Sequence, residues 1–145
     1  IQRYKGRIME VKNIYNIAKR AMGAQLVRLN AIASNLANAD NVASNPQDAY
    51  KPIKPVFETK YLDIIRKRGI STVDAVTVQQ MDIEPIKEFQ PGHPMADEQG
   101  FIYKAPVNTE EEYVEMLEAS RQYQNNIEVI STIKALMLKT ANLGK

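Results

Sequence analysis

Two helical patterns, one at each end of the chain, are too long for the globule that 145 residues can make. The first runs from about Asn13 to Ala39 with no proline inside it, and the second from about Asn108 to the C-terminal end. At 1.5 Å per residue they extend for about 40 Å and about 50 Å. A compact chain of this length has a diameter of about 38 Å. The molecule is therefore expected to be elongated.

Each pattern carries two apolar stripes at the 3–4 spacing of a helix face. On the first helix one stripe is Ile14, Ile17, Ala21, Ala24 and Ala31, and the other is Ala18, Met22, Leu29, Ile32 and Leu36. On the last helix one is Met116, Tyr123, Ile127, Ile130 and Met137, and the other is Val129, Ile133, Leu136 and Leu143. Two stripes need two neighbours, and a chain with two long helices supplies only one, so the second stripes call for other chains. Asn108 or Thr109 is placed to N-cap the last helix, with Glu111 or Glu112 closing a capping box and Gly144 as a stop. Asn30, Asn35 and Asn38 are unusual inside a helix, where asparagine is a poor former. Fraying covers Asn38; for the other two, side-chain hydrogen bonds that fix register between packed helices are the alternative.

The middle, 41–107, reads differently. Asn41–Pro55 is loop-like, with Asn45-Pro46, Pro52 and Pro55 breaking regular structure. Val56–Tyr61, Thr72–Gln79 and Phe101–Tyr103 read as short strands, Leu62–Ile65 as a short helix or hairpin arm, and Gln90–Pro94 as a turn. The fold class is mainly α with a small β-containing middle, divided as 1–12, 13–40, 41–107 and 108–145.

Composition removes most enzyme chemistry. With 0 Cys and 1 His there is no disulfide frame, no thiolate metal site and no cysteine nucleophile. His93 stands in Pro91-Gly92-His93-Pro94 with only Asp97 and Glu98 nearby, so it reads as a turn residue rather than a ligand or base. Glu110–Glu112 are explained by the helix dipole rather than by a metal. No phosphate loop or nucleophile elbow is present. No catalytic residue, cofactor or metal is expected, and the chain reads as a non-enzyme.

Charge is split along the chain: residues 1–70 carry a balance of +8 and residues 71–145 a balance of −6. Arg66-Lys67-Arg68 with Lys54, Lys60 and Tyr61 forms a basic cluster that suits a solvated or protein-facing surface, or phosphates. A basic-arm nucleic-acid binder and a membrane-surface protein docking through Ile1–Lys19 are the alternatives. Neither accounts for the second stripe of the last helix. No apolar run approaches the roughly 18 residues of a membrane helix, and the basic start Ile1–Lys12 lacks a signal-peptide core.

Three segments carry a family resemblance. LNAIASNLANAD at Leu29–Asp40 resembles the N-terminal signature of the axial rod and hook proteins of the bacterial flagellum. PGHPMADEQGFIYKAPVN at Pro91–Asn108 and EMLEASRQYQNNIEVISTIKALMLKTANLG at Glu115–Gly144 resemble the proximal-rod branch of that family. The resemblance covers about Ile14–Gly144; Met9 is then the expected natural start, with Ile1–Ile8 an extension.

The resemblance implies that the two terminal helices pair as a coiled-coil-like hairpin, and that hairpins pack side by side around a channel. It implies a structural subunit of the proximal rod, which transmits torque from motor to hook, located in the periplasm and exported by the flagellar type III apparatus without signal cleavage. The implied partners are other copies, the rod proteins FlgB, FlgF and FlgG, and the adaptor FliE. The expected assembly interface is Ile17, Ala21, Ala24, Leu29, Asn30, Asn35, Leu36 and Asn38 on the first helix. On the last helix it is Met116, Tyr123, Ile127, Ile130, Ile133, Leu136 and Met137.

Overall fold

The structure, a computed structural model, describes residues 2–59 and 73–142. The elements in chain order are helix α1 (Gln2–Ala37), strands β1 (Val42–Ala43), β2 (Ile53–Thr59), β3 (Val73–Gln80), β4 (Ile86–Phe89) and β5 (Phe101–Lys104), and helix α2 (Thr109–Asn142). The expected arm at Leu62–Ile65, the Arg66–Arg68 cluster with Lys60 and Tyr61, and Leu143 and Gly144 lie outside the described residues.

Helix α1 begins at Gln2, well before Asn13. Residues 2–12 lack a clear apolar stripe, which is why periodicity misses them, but they contain no proline and only Gly6 as a weak helix former. The helix ends at Ala37, where the last turn tightens. The Asn38 amide donates to both Ser34 O and Asn35 O at 3.2 Å, and Asn38 Nδ2 donates to Ser34 O at 2.8 Å. These bonds satisfy carbonyls that a helix end leaves open.

The described residues divide into two compact units, and both long helices contribute to each. One unit gathers residues 2–26, 57–59, 73–76 and 119–142; its buried side chains include Ala18, Ala24, Ala119 and Ile133. The other gathers 27–56 and 77–118. Its core holds Ala31, Ile32, Asn35, Ala43, Ala49, Ile102 and Ala105. In this second unit β1, β5 and β4 form an antiparallel sheet in that order, with Val42 opposite Lys104 and Phe89 opposite Phe101. Strands β2 and β3 pair separately. The reading of Asn41–Pro55 as loop passes over β1 and the start of β2, and β4 is missed altogether. A two-residue and a four-residue strand, the latter set between Pro85 and Pro91, are too short to show alternation.

The turn before β5 is built by Asp97 and His93. Asp97 Oδ1 accepts from the Gln99 and Phe101 amides, both at 2.9 Å, and these bonds hold its carboxyl below the usual range. His93 Nδ1 accepts from the Met95 amide at 3.0 Å, so the imidazole is a turn component. Gly100 sits at φ 85°, and a Cβ there would meet Phe89 Cε2 at 2.9 Å and Pro91 Cβ at 3.0 Å. Gly100→Ala is expected to destabilise the second unit by about 1–3 kcal/mol, from left-handed strain and overpacking together. A urea melt followed by tyrosine fluorescence checks this; a loss below the scatter between replicate melts would mean the turn relaxes freely.

Candidate functional site

Asn35 is 1% exposed and uses its whole amide. Nδ2 donates to Ile53 O at 2.9 Å and to Glu112 Oε1 at 3.0 Å. Oδ1 accepts from the Ile53 amide at 2.9 Å and from the Tyr50 hydroxyl at 3.0 Å. Two donors and two acceptors are the full capacity of an asparagine side chain. One residue near the end of α1 thereby ties down the approach to β2 and the first turn of α2. Ser34 Oγ lies 3.3 Å from the same tyrosine hydroxyl.

Glu112 is 9% exposed and points at Asn35, so it does not close a capping box. Asn108 is the N-cap of α2, the first of the two expected candidates, its Oδ1 accepting from the Glu110 amide at 3.1 Å and the Glu111 amide at 3.4 Å. Burial pushes the Glu112 carboxyl above the usual carboxylate range, and Glu115 and Glu111 push the same way; Asn35 and Lys54 partly offset this. Beside this hub, Arg28 Nη2 reaches Glu115 at 3.6 Å and Glu118 at 3.8 Å, and Lys54 reaches Glu115 at 3.8 Å. Asn35 meets Glu112 while Arg28 meets residues further along α2, so the two helices run antiparallel in this unit.

The residues expected at the assembly interface fall into three groups. Ala24, Asn35 and Ile133 are buried within the chain. Ile17, Ala21, Leu29, Leu36, Asn38, Met116, Tyr123, Ile130 and Met137 are half-buried. Asn30, Ile127 and Leu136 are exposed. Along α2 the covered side follows a 4-3 spacing from Glu112 through Met116, Ala119, Tyr123, Asn126, Ile130 and Ile133 to Met137. Ile133 therefore lies with Tyr123 and Ile130, and Ile127 stands off that line. The interior-asparagine signal is met by Asn35 alone: Asn38 caps its own helix, and Asn30 faces solvent.

A family model described as the flagellar basal body rod FlgEFG protein C-terminal region matches residues 98–143, a span from the Asp97 turn through α2. Over 137 residues the chain is 38% identical to the flagellar basal-body rod protein FlgC of Escherichia coli O157:H7, covering 94% of this chain and 100% of the relative. With FlgC of Yersinia enterocolitica the identity is 40% over 140 residues, and with FlgC of Salmonella typhimurium strain LT2 it is 38% over 137, at the same coverage. The chain belongs to the FlgC family of flagellar basal-body rod proteins. In this FlgC-family chain the Asn35 hub and the helix faces on either side of it lie within the shared length.

Periodicity alone passed over Tyr113, Val114, Leu117 and Leu138, all exposed on α2, with Leu117 at 70%. Their signal is the same 3–4 spacing, hidden because the two stripes already found accounted for the helix.

The FlgC hub has a pH signature. The Glu112 carboxyl is raised in the folded state, so folding is favoured by protonation. Its contribution is full below the unfolded value near 4.3, and stability falls as pH rises through the raised folded value. Glu112→Gln keeps an oxygen for Asn35 and removes the titration. The variant is expected to gain on the unaltered chain as pH climbs from about 4 to 7, where the carboxylate ionises. Thermal melts of both across this range test it; parallel curves would mean Glu112 is fully solvated.

Proposed function

We propose that this chain is a structural subunit of the flagellar basal body that builds the proximal rod and transmits torque from motor to hook. The observation that carries the reading is kinship along the full length of rod proteins. The apolar side chains that α2 leaves uncovered support it, since a subunit that works only in an array keeps part of its apolar surface for its neighbours.

In this reading α1 is the first axial helix, the residues between the two helices form an outer segment, and α2 returns as the second axial helix. The helices pair as a coiled-coil-like hairpin. The interface comprises the exposed and half-buried members of the group from Ile17 to Met137, while Ala24, Asn35 and Ile133 hold the hairpin together. The neighbours are other copies, FlgB, FlgF, FlgG and the adaptor FliE. The chain reaches the periplasmic rod through the flagellar type III apparatus without signal cleavage, and has no catalytic role.

The test is complementation. Cells lacking their own FlgC are expected to swim again, and to yield basal bodies with intact rods, when supplied with this chain. His93→Ala is expected to swim within about twofold of the unaltered chain, since it removes only a turn contact whose net worth is about 1 kcal/mol. Normal rods without motility in that variant would contradict a purely structural role.

A further inference from the structure

Asn35 holds two parts of the second unit that lie far apart in the sequence. Its carboxamide pairs with Ile53 as the peptide group of a neighbouring strand would: Oδ1 accepts from the Ile53 amide and Nδ2 donates to the Ile53 carbonyl, both at 2.9 Å. The remaining lone pair takes the Tyr50 hydroxyl, and the remaining N–H goes to Glu112 in the first turn of α2. Among the described residues, the other polar contact between segment 50–54 and α2 is the Lys54–Glu115 ion pair at 3.8 Å, with side chains 52% and 38% exposed. A pair so exposed adds little. The carboxamide is planar, so its four bonds share one orientation. Turned over, it would set its N–H groups against the Ile53 amide and its oxygen against the Ile53 carbonyl and the Glu112 carboxyl. An amide that accepts through its oxygen also donates more strongly through its nitrogen, so the two sides of Asn35 reinforce each other.

We propose that Asn35 is a latch that couples the seating of segment 50–53 on α1 to the seating of the first turn of α2, so that losing either hold loosens the other. Segment 50–53 leads directly into β2, and α2 is the last helix of the chain. The latch lets the entry to β2 lock only in a chain whose second helix has come back beside α1 in this unit. It also frees the start of that helix when the entry to β2 is pulled away. Separate hydrogen bonds would give two independent fastenings; one shared side chain gives a conditional one, and the condition is reciprocal. The element with two states is physical and small: a single amide, either bonded on both sides or released. The latch needs nothing from the rod reading, and the unaltered chain's ability to restore swimming reports on that reading separately.

The test is a double-mutant cycle in the full-length chain at neutral pH, read by urea melts. Tyr50→Phe removes one hydroxyl, and Glu112→Leu removes the acceptor at similar volume. Once either change is made, the other is expected to lower the folding constant about fivefold less than it does in the unaltered chain. In an Asn35→Ala background that difference is expected to vanish, and in a Lys54→Met background it is expected to remain. Amide exchange under native conditions gives a second reading on the single variants. Tyr50→Phe is expected to speed exchange of the 112–116 amides about fivefold, and Glu112→Leu that of the Ile53 amide, while the amides of β4 and β5 change less than about twofold. Glu112→Gln keeps an oxygen for Nδ2 and is expected to leave the Ile53 amide within about twofold of the unaltered chain. Effects that simply add, a coupling that survives Asn35→Ala, or one that disappears with Lys54→Met would each overturn the latch. So would exchange that quickens only beside each substitution, evenly across the second unit, or as much in Glu112→Gln as in Glu112→Leu. Where a combined variant is too unstable to melt cooperatively, the exchange pattern of the single variants decides.

Discussion

Asn35→Ala is expected to cost the second unit about 3–5 kcal/mol, because it strands several buried polar groups at about 1–3 kcal/mol each. The substitution deletes little apolar surface, so the cost comes from what it leaves behind. The Ile53 amide and carbonyl lose the Asn35 side chain, the Tyr50 hydroxyl is left with Ser34 Oγ, and the buried Glu112 carboxyl loses the amide that donates to it. Each stranded neutral group costs about 1–3 kcal/mol if it stays dry, and an ionised one costs more. Asn35→Asp separates hydrogen bonding from volume. It keeps the acceptor side but sets a second carboxylate against Glu112, and is expected to do as badly as alanine at pH 7. Near pH 4 it is expected to recover part of the loss, because both acids then approach their protonated forms. Urea melts give the stability, and amide exchange over residues 109–118 shows whether the start of α2 loosens first. A loss under about 1 kcal/mol for alanine would mean that water replaces the amide, and that the hub is wetter than its burial indicates.

Asn35 also marks the boundary of what the sequence discloses. Its oddness is visible, because asparagine amid Ala31, Ile32 and Leu36 contradicts helix propensity. Its partners are not, because they come from positions 15 to 77 residues away, and no local pattern encodes which distant groups will converge. The long helices are legible for the opposite reason: their signal is local and repeats over many turns. Even so, periodicity does not say which of two stripes on α2 will be covered by the chain's own α1. Ile133 and Ile127 look alike in the sequence, yet the first is buried and the second exposed. Glu112 reads as a first-turn acid serving the helix dipole, and the Asn35 contact overrides that role. The expected turn at Gln90–Pro94 agrees with the structure because Pro91, Gly92 and Pro94 leave the backbone few alternatives.

The contrast between Ile133 and Leu136 gives the second large effect. Ile133 is 6% exposed, and aspartate there places a carboxylate where water has little access. Ile133→Asp is expected to destabilise the first unit by at least about 3 kcal/mol, from lost burial and desolvation together. It should lower the helix signal of the purified chain. Leu136 lies one helical turn away and is exposed, so Leu136→Asp is expected to change the stability of the isolated chain by less than about 0.5 kcal/mol. If the exposed face around Leu136 is covered in the rod, the same aspartate becomes dry on assembly and costs several kcal/mol. Leu136→Asp cells should then export the protein and fail to swim, while the purified variant melts like the unaltered chain. Ile130, half-buried on the same line as Ile133, should behave as Ile133 does but more mildly. The measurement is a pair of readings on each variant, thermal melting of the purified chain and swimming of the complemented cells. Normal swimming with Leu136→Asp would mean that this face stays wet in the rod. A purified Leu136→Asp chain that melts as low as Ile133→Asp would mean that the chain's own folding already uses this face, leaving nothing on it for a neighbour.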